Sequence, residues 1–251
     1  MMGSSHAATG VLAGAAIGAL CGSGPMDVLS CAAVGAGAAL LPDLDEPGST
    51  VGRSLGLVTE KASERLREAS RRVYLRTATE VELSAGRDGT HRYLTHTLPA
   101  CAAFGLLALA VAAIAPLGTG LVVFATAALG LGTVARSLTT WGSLRRRRIV
   151  ASVAAVVIAA GAFAESGGPA PWLVGTTVAL GALTHVLGDW LTRSGVPLAW
   201  PFVVRGKRWW MFRSPVAFHT GRSRVEDGIR WASLAGLPFM LVLSAPPPTV
   251  G

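Results

Sequence analysis

The chain has 251 residues, of which 51% are hydrophobic and only 14% charged, with a net charge of +8. Soluble domains usually carry about 25% charged residues, so this balance excludes an ordinary soluble enzyme and suits a chain that crosses a membrane several times. The positive charge alone would also suit nucleic acid, but basic loops orient membrane proteins and attract anionic headgroups, so membrane lipid is the expected partner and nucleic acid is set aside.

The N-terminus, MMGSSHAATG, has no basic n-region, and no cleaved signal peptide is expected. Two short apolar runs follow, Ala7–Cys21 and Val28–Leu41, joined by the breaker sequence GSGPMD. Their Ala and Gly content fits either tilted, closely packed spans or a re-entrant hairpin. A charged segment comes next. Alternating Glu and Arg from Val58 to Leu83 predict a surface helix with i,i+4 ion pairs, read as a cytoplasmic insertion at about 57–84. Five further apolar stretches, Leu98–Ala115, Gly118–Ala135, Ile149–Ala164, Pro171–Leu191 and Trp231–Ala245, approach the length of about 20 residues that a membrane helix needs. The three cysteines, Cys21, Cys31 and Cys101, sit in small-residue apolar runs and read as core residues.

All 22 Lys and Arg residues fall into three blocks, Arg53 to Arg92, Arg136 to Arg148 and Arg193 to Arg230. A helical path through the apolar segments puts these blocks on one face, which the positive-inside tendency makes the cytoplasm. The predicted fold is therefore an all-α polytopic membrane bundle forming one domain, with the basic face in the cytoplasm. The aromatic and basic residues of PLAWPFVVRGKRWWMF are read as part of the interfacial belt.

The same face collects the residues able to hold a metal. In LLPDLDEPGST, Pro42 stops a helix, and Asp43 and Asp45 in the following turn suit a divalent cation. In HRYLTHTL, Thr95 is a plausible helix N-cap, so that a loop-to-helix transition brings His91 and His96 together, with Arg92 offering a guanidinium to an anionic group. In THVLGDWLTRSG, His185 and Asp189 are i and i+4 and share a helix face. Asp189 is the only acidic residue in its apolar run, and an ionisable group there is a functional hypothesis by default. Glu226 precedes the last span as a ligand or general base, and His219 is either of these or a loop residue.

Together these motifs, in this order and preceded by His6, resemble the membrane-bound metal-dependent hydrolase family typified by the bacterial YdjM protein, which includes LexA-regulated inner-membrane members. The resemblance runs through most of the chain. It implies a multi-span inner-membrane protein with metal-dependent hydrolase activity and a site made of His6, Asp43, Asp45, His91, His96, His185, Asp189 and Glu226. The charged helix lengthens the segment between PDLD and HRYLTH. A more distant likeness, in ligand types and order, is to the zinc-dependent phospholipase C and single-strand nuclease superfamily. Mixed nitrogen and oxygen ligation favours Zn²⁺ or Mn²⁺ over Mg²⁺ or Ca²⁺. The expected reaction is metal-assisted hydrolysis of a phosphoester at headgroup level, with Glu226 or a spare Asp as base and Arg92 as anion holder. A transporter using His185 and Asp189, or a non-catalytic membrane protein braced by a metal, are the alternative classes.

Overall fold

The computed structural model describes residues 1–54, 56–138, 143–221 and 223–245. The described residues form an all-α bundle: α1 (Gly3–Cys21), α2 (Pro25–Ala38), α3 (Leu57–Thr77), α4 (Glu80–Ser84), α5 (Leu98–Ala112), α6 (Pro116–Leu138), α7 (Leu144–Ser166), α8 (Pro171–Trp190) and α9 (Arg224–Ser244). Two short 3₁₀ turns, Leu41–Asp45 and Leu94–His96, lie between helices. Five segments are long and apolar enough to cross a membrane: α1, α2 extended through Asp45, α6, α7 and α8. The two N-terminal runs thus have the length and composition of spans. Of the other expected spans, α5 has only 15 residues, and α9 devotes its first two turns to Arg224, Glu226, Asp227 and Arg230.

Small residues set the architecture. A Cβ on Gly14 of α1 would lie 1.9 Å from the carbonyl oxygen of Cys31 in α2, and one on Gly37 of α2 would lie 1.9 Å from that of Thr126 in α6. Only glycine permits backbones to approach this closely, which is how helices associate where lipid offers no hydrophobic contrast. The α2 segment is accordingly central, 78% buried, while α7 is peripheral, 17% buried. Exposed Val153, Val156 and Val157 on α7, and Phe239, Val242 and Leu243 on α9, form an apolar exterior suited to lipid chains. The up-and-down course from α5 to α9 returns the end of α8 to the end of the bundle where α5 and α9 begin.

At that end the charged segment departs from one continuous helix. It breaks at Ala78 and Thr79, because Thr79 forms a capping box with Glu82 and starts α4. Glu82 also accepts the backbone N–H groups of Trp209 at 2.7 Å and Arg208 at 3.1 Å, and the indole N–H of Trp209 donates to Thr77 Oγ1 at 3.1 Å. Tyr74 and Tyr93 pack edge to face at 4.8 Å beside Trp209. These contacts fasten α3 and α4 to the long loop between α8 and α9. That loop folds back on itself through paired Val196 and Phe212, and through Thr192 beside Phe218.

Candidate metal centre

Four distant pieces of chain meet at one end of the bundle. The last turns of α8 carry His185 and Asp189 on one face, both fully buried. The first turn of α1 brings His6, whose ring stacks on His185 with centroids 3.7 Å apart and planes 14° from parallel. Gly188 makes that seat, since a Cβ there would lie 3.1 Å from His6 Nδ1 and Cε1. The 3₁₀ turn after α2 supplies Asp43, and the 3₁₀ turn before α5 supplies His96.

Two overlapping sets of donors could hold a metal ion, His6 with His185 and Asp189, and Asp43 with His96 and His185. His96 Nε2 and His185 Nε2 face each other at 3.2 Å. Asp43 Oδ1 lies 3.7 Å from the first and 3.5 Å from the second. Asp189 Oδ2 lies 3.6 Å from the first and 3.7 Å from the second. Four ligands held tetrahedrally at about 2.0–2.2 Å from an ion stand about 3.3–3.6 Å apart. Each carboxylate comes close to that spacing with the two imidazoles, but Asp43 and Asp189 do not fall in one donor set, so they stand on different sides of the histidine pair. His6 adds unsatisfied capacity, because neither of its buried ring nitrogens has a hydrogen-bond partner, although Nε2 stands 3.3 Å from Asp189 Oδ1.

The hydrogen bonds around the rings fix which nitrogen carries the proton. His185 Nδ1 lies 2.8 Å from the carbonyl oxygen of Ala39, which can only accept, so Nδ1 carries a proton and in the neutral ring Nε2 presents a lone pair. The Thr95 hydroxyl donates to Asp45 Oδ2 at 2.7 Å and is left to accept from His96 Nδ1 at 3.0 Å. His96 Nε2 is then also a lone pair. Burial holds the His96 pKa below the ordinary imidazole value despite the pull of Asp43, consistent with a neutral ring.

Asp43 and Asp45 diverge rather than share one site. Two residues apart in a 3₁₀ turn, they point to different sides. Asp45 is buried and faces the 91–96 segment, where His91 Nδ1 lies 2.7 Å from Oδ1, and the N–H of Arg92 donates to Oδ2 at 3.3 Å. Burial disfavours charge on His91, but the hydrogen bond and charge of Asp45 outweigh it and the pKa is raised. His91 and Asp45 therefore stand behind His96, outside the two donor sets. Thr95, read from the sequence as a helix cap, is instead the link between Asp45 and His96. Thr97 is the cap, accepting from the N–H of Ala100, with Pro99 in the first turn. Two threonines flank His96, and only their partners in space distinguish them.

Arg92 places Nη1 3.1 Å from Asp189 Oδ2 and is about one-fifth exposed. Its backbone is left-handed, with φ of 64°, a conformation costly for a residue with a Cβ. Glu226, in the first turn of α9, accepts the N–H of Met2 at 2.5 Å on Oε1 and that of Gly221 at 2.6 Å on Oε2. It thereby ties the start of α1 to the loop before α9, while the Met1 amino group contacts Asp189 directly. His219 is exposed and belongs to neither donor set. Asp43 is the least buried of the donors. Beside it opens a cavity of about 220 Å³, lined also by Ser49, Thr50 and Arg53.

A family model described as YdjM inner membrane protein matches residues 1–144 and 148–245. Neither a curated protein nor a solved structure matches the chain. The match extends over nearly the whole sequence, takes in every residue of the buried His and Asp cluster, and agrees with the apolar helices around it. The chain belongs to the YdjM inner membrane protein family.

Proposed function

We propose that this protein is a metal-dependent hydrolase acting at the cytoplasmic membrane face on a phosphoester, with a lipid headgroup as the favoured substrate class. One observation carries the reading. Two buried sets of three donors, His6 with His185 and Asp189 and Asp43 with His96 and His185, share His185 and gather side chains from four chain segments at one end of the bundle. The donor set of nitrogen and oxygen suits Zn²⁺ or Mn²⁺. A divalent ion held there would lower the pKa of bound water toward neutrality and polarise the scissile bond.

The chain's own residues do the rest. Asp43, His96 and His185 form one donor set and His6, His185 and Asp189 the other, with the His6 ring stacked on His185. Ala39 and the Asp45–Thr95 pair keep the ring protons on Nδ1. Arg92 offers part of its guanidinium to an anionic group on the substrate. The polar cavity beside Asp43 gives access, with Arg53 in its wall. Glu226 is a positioning residue in this scheme, since both its oxygens are engaged by backbone N–H groups. The clustering of Arg and Lys at this end of the chain's spans supports a cytoplasmic site.

The test combines elemental analysis of the purified protein with a hydrolysis assay. Wild type is compared with a His185→Ala, Asp189→Ala double variant, and metal-loaded protein is offered phospholipids in nanodiscs while released phosphate and phosphorylated headgroups are measured. The reading expects bound metal in the wild type, its loss in the double variant, and release by the wild type alone. Equal metal in both proteins removes the site; bound metal without any release removes the hydrolase.

A further inference from the structure

A second cavity, of about 590 Å³, lies between the loop joining α8 to α9 and the segment joining α4 to α5. Its size falls within the range of about 300–1,000 Å³ typical of small-ligand sites. Arg87, Arg205, Lys207 and Arg213 line it, and its one carboxylate is Glu82. Glu82 is already occupied by the N–H groups of Thr79, Arg208 and Trp209. None of the four cations forms an ion pair with a carboxylate among the described residues. The wall therefore carries four cations against the single carboxylate of Glu82 and is net positive.

The backbone holds that charge in place. Val204 and Lys207 exchange hydrogen bonds at 2.8 and 3.0 Å around a two-residue turn, in which Arg205 and Gly206 have φ of 52° and 76°. Asn or Gly usually fills the first position of such a turn. Here an arginine takes the left-handed conformation that the turn demands, at an energetic cost. Trp210 gathers the neighbouring charges, with the Arg205 guanidinium 5.4 Å and the Lys207 ammonium 5.6 Å from its ring centre. On the same loop Phe202 and Val203 are exposed by 74% and 52%, an apolar edge suited to the boundary between headgroups and acyl chains.

We propose that this basic, tryptophan-walled cavity is a binding site for a phosphate-bearing anion, carried by a phospholipid headgroup or by a soluble phosphate compound, separate from the metal centre. Arginine matches phosphate oxygens two at a time, and three of the four cations are arginines. The exposed Phe202 and Val203 favour a lipid over a nucleic acid. The inference does not depend on hydrolysis, and none of its residues belongs to the His and Asp cluster.

The experiment titrates the intact protein while following tryptophan emission, since Trp209 and Trp210 line the cavity. The probes are inorganic phosphate with protein in detergent, and phosphatidylglycerol against phosphatidylcholine with protein in nanodiscs. An Arg205→Gly, Lys207→Gln double variant removes two cations and keeps the turn, because glycine accepts the left-handed backbone. An Arg145→Ala, Arg146→Ala variant removes the same charge from an exposed helix start. Anion affinity is expected to fall about tenfold or more in the first variant and by less than about threefold in the second, with no loss of melting temperature in either. A response to inorganic phosphate assigns the site to a soluble anion, and a response to phosphatidylglycerol alone assigns it to a headgroup. Equal losses in both variants, no loss in either, or binding of a single-stranded oligonucleotide without any response to phosphate or lipid would overturn the proposal.

Discussion

His96 and His185 aim their Nε2 atoms at each other across 3.2 Å, and each ring's proton is committed on the far side, to Thr95 and to the Ala39 carbonyl. In their neutral forms both facing atoms are lone pairs, which repel unless something positive lies between them. Asp43 and Asp189 each bring a carboxylate oxygen to within 3.5 and 3.7 Å of His185 Nε2. That relationship, more than the count of histidines, is what makes the cluster able to hold a cation.

If Thr95 sets the His96 tautomer, Thr95→Val should weaken metal binding about 10–100-fold, the usual effect of losing an outer hydrogen bond to a ligand. Thr95→Ser keeps the hydroxyl and should bind as wild type does. Competition with a chromophoric chelator measures both. Equal affinity in the valine variant would show that the Asp45–Thr95–His96 chain is not what orients the ring.

Gly188 should matter through space rather than flexibility. Gly188→Val would push a side chain into the His6 ring, whose Nδ1 lies 3.1 Å from the nearest added carbon. Metal affinity is expected to fall about tenfold, an effect comparable to other disturbances behind a ligand. Gly228 of α9 has open space around it, and Gly228→Ala should leave binding alone and raise stability by about 0.4–1 kcal/mol. A chelator titration and a thermal melt separate the two, and an unaffected valine variant would remove His6 from the donor set.

The left-handed backbone at Arg92 predicts an inverted order of stability. Arg92→Gly relieves the strain, whereas Arg92→Ala keeps it, so the glycine variant should be more stable by about 1 kcal/mol. Both lose the guanidinium beside Asp189 and should lose substrate affinity alike. Thermal melting in detergent checks the order. An alanine variant as stable as the glycine variant would mean that the segment relaxes at no cost.

Glu226 separates positioning from catalysis. Glu226→Gln leaves one acceptor where two backbone N–H groups now bind, and stability should drop by about 1–3 kcal/mol. Amide exchange at Met2 or Gly221 should quicken while bound metal is retained. Full stability together with abolished turnover would restore the general-base role that the sequence suggests.

Much of this was legible beforehand because its causes are local. Apolar length and the three basic blocks point to a polytopic helical bundle, and i,i+4 spacing puts His185 and Asp189 on one face. The separation of Asp43 from Asp45 was not legible, because adjacent carboxylates look equivalent until their turn is known to be 3₁₀. The break at Thr79 is masked by the Glu and Arg pattern that continues through it, although Thr79 and Glu82 have the spacing of the capping box that starts α4.

Composition, charge distribution and motif order alone established a membrane-embedded all-α chain and named the histidines and carboxylates able to hold a metal. Folding decided which of them meet. A ligand set is a matter of a few ångströms between side chains far apart in sequence. Those distances depend on close backbone approach at glycines such as Gly14, Gly37 and Gly188, which no periodicity in the sequence encodes.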